Sequence, residues 1–526
     1  MDQQLKRKHT WGTGARFIAS LFLTLLVAAC GGGPGSTTST QTPTHAPAVT
    51  VNVPQQDTPT PTTTSLVAWP SFNGGGARSG VNTSEHIISR GNVGQLTRLW
   101  QQTLPDVADS SLVEQPDINT AGGTRTLLFV TTKSGSLLAL DAATGQTVWR
   151  RDSSGPKITN SSPALDPSGR FVYSYGLDGK VHRYAVGSGA EVTGSGWPAT
   201  MTLMTQDEKG GTAINISNGY FYMGIGGYVG DAGHYQGHVV AVNLTTGRTT
   251  VFNTLCATVR QLLNNVPTAP NYCAALRSAV WSRAGAVIDP VTGNVFIATG
   301  NGPFDANTGG HDYGDSVLEL SPDLSRLIDT YTPNNYMQLD AQDADLGSAS
   351  PALLPRQNGS RTPYLAVQAG KDVKLRLLNR QNLSGRGGPN HVGGEVQAVD
   401  LPQGCAVLTQ PAVWNDPAGM TWVFVANDCG FSAFKVVTSN GVSRLQLVYQ
   451  NKVKGSSPFI ANGVLFVQGN QVLYALAPTT GTILWSSALR SAGGSIGELH
   501  WQSPLIVNGH VYAVDMNGHI TAYGFK

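Results

Sequence analysis

The sequence predicts an all-β, eight-bladed β-propeller, and three observations carry that prediction. The first is a unit, residues 134–149 (SGSLLALDAATGQTVW), which reads as strand, tight turn, strand. Leu137, Ala139 and Asp141 alternate with Leu138 and Leu140, Thr144-Gly145 supplies a positive-φ turn, and the return strand ends on Trp149. The second is recurrence. The unit returns at residues 237–252 (GHVVAVNLTTGRTTVF) and 471–485 (QVLYALAPTTGTILW), with weaker copies at 179–192 and 316–331. A period of roughly 40–50 residues carrying several short strands marks a propeller, because one such sheet cannot bury its own faces. The third is an incomplete last copy, whose missing strand lies near the other end of the chain.

Taken in order, residues 1–30 read as an address. Lys6, Arg7 and Lys8 precede a short apolar run, and Leu-Val-Ala-Ala-Cys closes at Cys30 in the manner of a lipoprotein cleavage signal. The run is too short for a comfortable membrane span. Residues 31–66 are Gly, Thr, Ser and Pro with little to bury, a flexible stalk. The propeller is expected over 67–526. Its blades open near Leu112, Ser161, Gly211, Ser278, Ser348, Thr409, Ser456 and Trp501. The eighth stops one strand short, and residues 97–104 (TRLWQQTL) are expected to supply that strand and close the ring.

Composition narrows the function. The formal net charge is +2 with 13% charged residues and no clustered basic face, which argues against a nucleic-acid partner. No Gly-x-Ser-x-Gly elbow, phosphate loop or His-Glu-x-x-His helix occurs. With Cys30 lipidated, four of the five cysteines remain for an oxidising compartment. Cys256 and Cys273 bracket a strand-poor insertion, and Cys405 and Cys429 flank a strand pair. Two structural disulfides are expected, each worth ~3 kcal/mol.

The repeat x-L-x-A-x-D-x-x-T-G-x-x-x-W resembles that of the quinoprotein family of eight-bladed propellers. The resemblance implies an axial site. The family's enzymes hold pyrroloquinoline quinone (PQQ) and calcium there and oxidise alcohols or sugars, while non-catalytic members include an assembly scaffold of the bacterial outer membrane. The block 281–351, with IDPVTGNVFIATGNGPFDANTGGHDYGDSVLELS and DAQDADLGSASPALL, is the part most similar to the enzymes. By that resemblance Asn301 falls at a calcium-binding amide, Lys371 (AGKDVKLRLL) at a quinone-binding lysine, and Trp281 near the residue on which the quinone stacks.

The chain also departs from the family pattern. The acid nearest the expected calcium-binding Glu is Asp231, out of register by about one residue. The catalytic Asp is expected near Gly310, where Asp305, Asp312 and Asp315 stand; Asp312 is taken as the candidate. The adjacent Cys-Cys pair and the haem-binding Cys-x-x-Cys-His are both missing. Other readings of the same residues are open: Asn301-Gly302 as a turn, Asp340, Asp343 and Asp345 as turn caps, Trp281 and Trp501 as a plug or a lining, Glu114 and Glu498 as residues of the funnel mouth. The expected function is an exported, lipid-anchored binding platform for a protein, glycan or small alcohol or sugar, with the catalytic set incomplete. The alternative is a PQQ- and calcium-dependent dehydrogenase.

Overall fold

The computed structural model describes residues 65–526; the expected signal, Cys30 and nearly all of the stalk lie outside them. The described strands form eight sheets. Blades 1 to 8 span residues 113–151, 164–200, 208–253, 287–331, 352–400, 412–451, 459–486 and 505–524, the last completed by Thr97–Thr103. That strand pairs antiparallel with His519–Gly524, from Thr97 opposite Gly524 to Thr103 opposite His519. The ring closes as the sequence predicts.

The Thr-Gly turn and the terminal aromatic of the repeat turn out to be two halves of one contact between blades. Trp149 of blade 1 donates its indole N–H to Val186 O of blade 2 (2.8 Å). Trp485 of blade 7 does the same to Leu96 O (2.9 Å), and Trp100 of blade 8 to Ala142 O of blade 1 (3.1 Å). The Trp100 and Trp149 rings each lie on a turn of the following blade. A Cβ at Gly145 would stand 2.6 Å from the Trp100 ring, and one at Gly189 2.6 Å from Trp149. Both glycines also sit at positive φ, +73° and +65°, so conformation and space select glycine together. Between the blades the strands are buried on both faces; Leu137–Asp141 is buried at every position.

The Ser-Pro openings have a shared role too, as a hydrogen-bonded belt around the axis. Ser503 N–H donates to Ser111 Oγ (3.0 Å), Ser111 N–H to Ser162 Oγ (2.9 Å), and Ile214 N–H to Ser162 O (3.1 Å). Ala213 N–H donates to Arg283 O (2.9 Å), and Ser282 and Ser350 join through their hydroxyls (2.5 Å). Ser350 N–H donates to Gln410 Oε1 (3.2 Å) and Gln410 N–H to Ser457 Oγ (3.0 Å). Ser503 Oγ–H to Ser457 O (3.4 Å) completes the circuit. Serine hydroxyls carry most of these side-chain links, and the Gln410 amide carries one.

Residues 69–82 line the inner strands beyond the belt. Their carbonyls accept from Leu165, Ile288, Val413 and Ile460 N–H, at 2.7–3.0 Å. Arg78, fully buried, donates to Phe72 O and Ile214 O at 2.6 Å each. Trp69 exchanges backbone hydrogen bonds with Glu114. Glu114 therefore belongs to this floor, which decides against the reading that put it at the funnel mouth. It is 1% exposed, and one carboxylate oxygen, Oε2, has no hydrogen-bond partner among the described residues.

Burial pushes the Glu114 carboxyl up to about 8. The folded state keeps the proton over the range from the ordinary carboxylate value to about 8, where the unfolded chain releases it. Stability therefore falls as pH rises through that window and is level above it. Glu114→Gln is expected to remove that fall, on the order of 5 kcal/mol, and to raise the melting temperature at pH 8 but not at pH 4.5. Thermal denaturation at the two pH values checks this.

Candidate axial site

On the other side of the belt, residues just before the blade-opening strands meet residues from the loops that follow the second strands. Trp281 and Asn301 flank the inner strands of blade 4, while Asp345 and Lys371 do the same in blade 5. Asn301 donates its backbone N–H to Asp345 Oδ1 (2.7 Å) and its amide Nδ2–H to Asp231 Oδ2 (3.4 Å). Tyr235 O–H donates to the other Asp231 oxygen (2.6 Å). Lys371 pairs with Asp345 and with Asp343 (2.9 Å), and its ammonium lies 5.5 Å from the Trp281 ring centre. The approach is close because residue 300 is glycine: a Cβ there would strike Asp345 and sit 3.0 Å from the Trp281 indole nitrogen. Trp281 meets Trp501 at 6.3 Å between centroids, tilted by 48°. Both rings are half-buried.

Arg283 continues the wall. It donates to Asp109 O (2.6 Å), Asn160 O (3.0 Å) and His500 O (2.7 Å), and forms an ion pair with Asp109. Burial opposes ionisation of Asp109, but Arg283 and His500 hold its carboxyl below the usual range. Burial raises the Asp315 carboxyl to about 8, with Asp345, Asp340 and Asp372 adding to the effect. Two carboxylates, despite the burial cost, hold the Lys371 ammonium above its usual value.

Four expected residues thus come together: Asn301, Asp231, Lys371 and Trp281. Residues 69–418 match the family profile described as the glucose/ethanol/alcohol dehydrogenase β-propeller domain. The chain belongs to this PQQ β-propeller family. Residues 393–526 also match the profile of the outer membrane protein assembly factor BamB. No curated protein matches the chain.

Among solved structures, the chain is similar to the quinohemoprotein alcohol dehydrogenase ADHIIG from Pseudomonas putida HK5, with 14% identity and a TM-score of 0.61 over 87% of this chain and 80% of that one. A europium-containing methanol dehydrogenase gives 13% identity and 0.61, over 87% and 98%. The quinohemoprotein alcohol dehydrogenase from Comamonas testosteroni gives 15% and 0.59, over 87% and 80%. At these identities the likeness shows the fold.

Within the PQQ-family ring, Asp312 lies apart from the four residues. Its Oδ1 accepts from Cys256 N–H (2.7 Å) and its own N–H donates to Asp305 Oδ1 (2.9 Å). It braces the insertion closed by the Cys256–Cys273 bridge; Cys405–Cys429 forms the second bridge. Asp345, by contrast, makes no side-chain cap to the short helical turn Leu346–Ser348 that it precedes. It is the carboxylate shared by Asn301 and Lys371. Its signal in the sequence was the Asp-x-x-Asp-x-Asp run, which turn chemistry explains equally well. Arg283, Asp109 and His500 carried no motif.

As arranged, the residues do not fit a calcium ion. A hard divalent cation takes about six to eight oxygens. Here Asp345 is bonded through both oxygens, and one of its partners is an ammonium. Asp231 is likewise bonded through both oxygens. Among the described residues no group of three His, Cys, Asp or Glu side chains is placed to hold a metal.

Proposed function

We propose that the protein is an exported, lipid-anchored propeller whose axial mouth binds a ligand or partner without oxidising it. The observation that carries this is the Asp345–Lys371 pair. A base beside a quinone must be free to take the alcohol proton, and Asp345 is instead bonded by Asn301 N–H and by the Lys371 ammonium. The match of residues 393–526 to BamB supports a binding role. Export and anchoring rest on residues 1–30, and the two disulfides agree with an oxidising compartment. Among the described residues no helix is long and apolar enough to cross a membrane.

A second reading, a PQQ- and calcium-dependent dehydrogenase of an alcohol or sugar, is favoured by the juxtaposition of Asn301 with Asp231 and of Lys371 with Trp281. Incubation with PQQ and calcium, followed by dye reduction with ethanol or glucose, separates the two. The expected result is no calcium-dependent turnover; calcium-dependent dye reduction overturns the binding reading.

A further inference from the structure

Lys209 stands in the short strand Glu208–Gly210 of blade 3, opposite Gly226. Opposed residues of an antiparallel pair share a face. On that face a Cβ at Gly226 would meet Ala279 at 2.7 Å and the Trp281 Cβ at 3.5 Å. The lysine is therefore turned toward the wall that carries Trp281 and Trp501. It is only 8% exposed, and its ammonium has neither a hydrogen bond nor an ion pair among the described residues. It lies over the Tyr228 ring, 5.8 Å from its centroid, and Lys157 lies 4.3 Å from the same ring.

The charges around it are mostly of its own sign. Arg283 and Lys133 repel it, while Asp109 attracts it. Asp109 is already engaged by Arg283 and His500. The preceding residue, Glu208, is occupied by the Thr202 hydroxyl and by Gln236 N–H. Burial first, then Arg283, pushes the Lys209 ammonium down to about 8. Arg283 adds a buried Nε–H with no acceptor among the described residues. Among the described residues, an unpartnered acceptor on a residue that Arg283 bonds is Asn160 Oδ1, a neutral amide oxygen. Donors and positive charge exceed acceptors here, and a buried charge is costly until a counter-charge meets it.

We propose that Lys209, backed by Arg283, receives an oxyanion, carboxylate or phosphate, of a ligand bound beside Trp281 and Trp501. A charge-assisted hydrogen bond to Lys209 would supply the missing counter-charge, and the indole faces would pack the remainder of the ligand. This rests on the axial mouth being a binding site, but not on a quinone or a metal.

The test is calorimetric titration of the purified protein with inorganic phosphate in one arm and malonate in the other, at low ionic strength. The arm that binds distinguishes the two sources of the oxyanion. Lys209→Met is expected to weaken binding by about tenfold or more, and Lys209→Arg to retain it. The bound anion should raise the melting temperature of the wild type and not that of Lys209→Met. The inference is overturned if neither anion binds the wild type, or if a folded Lys209→Met binds as tightly. Quinone turnover in the dye assay would overturn the binding reading above while leaving the anion result standing.

Discussion

A chain beginning at Leu104 is expected to lose the closed ring. The deletion removes Thr97–Thr103, leaving His519–Gly524 as an unpaired edge. It also removes residues 69–82, whose carbonyls take the backbone N–H groups of four inner strands. Trp69, Phe72, Ile88, Val93 and Leu96 are all buried, each side chain worth about 1.5–3 kcal/mol on burial. Together they reach the ~5–15 kcal/mol that stabilises an ordinary domain. The truncated protein should show weak near-UV circular dichroism and rapid proteolysis, and a peptide of residues 65–104 added in trans should restore resistance. A cooperative melt and a native near-UV spectrum from the truncated chain would disprove this account of closure.

Lys371→Met is expected to cost about 2–3 kcal/mol of folding stability, measured by urea denaturation. Asp345 is 3% exposed, and removing its ammonium leaves a buried carboxylate held by Asn301 N–H alone. Breaking a fully buried pair costs ~3–5 kcal/mol. The figure is reduced here because the Lys371 side chain is 22% exposed. Asp345→Asn in the same chain should recover most of the loss, giving a coupling energy in a double-mutant cycle. A Lys371→Met variant as stable as the wild type would show that the pair does not hold Asp345 in place.

The blades could be read in advance because their signals are local. Alternation, a Thr-Gly turn and a terminal aromatic lie within about sixteen residues of one another, and repetition makes a weak pattern recognisable. What those residues do was not readable: Trp149 bonds to Val186 and Trp100 to Ala142, each in the following blade. The site was legible only where the family resemblance marked a position. Asn301, Asp231, Lys371 and Trp281 came together, whereas Asp312 went to brace the cysteine-closed insertion. One open reading put Glu114 at the mouth because it precedes a blade, but its strand carries it past the belt to Trp69.

From the sequence alone came the propeller, its eight blades and the closure by Trp100's strand, since periodicity and one missing strand are properties of the chain itself. Tertiary structure decided which charges meet. Arg283 finds Asp109 across 174 positions, and Asn301 finds Asp345 across 44. Such partners come from loops of different blades, which no repeat relates to one another. Only closing the ring brings them to a common axis, where burial makes each unmatched charge matter.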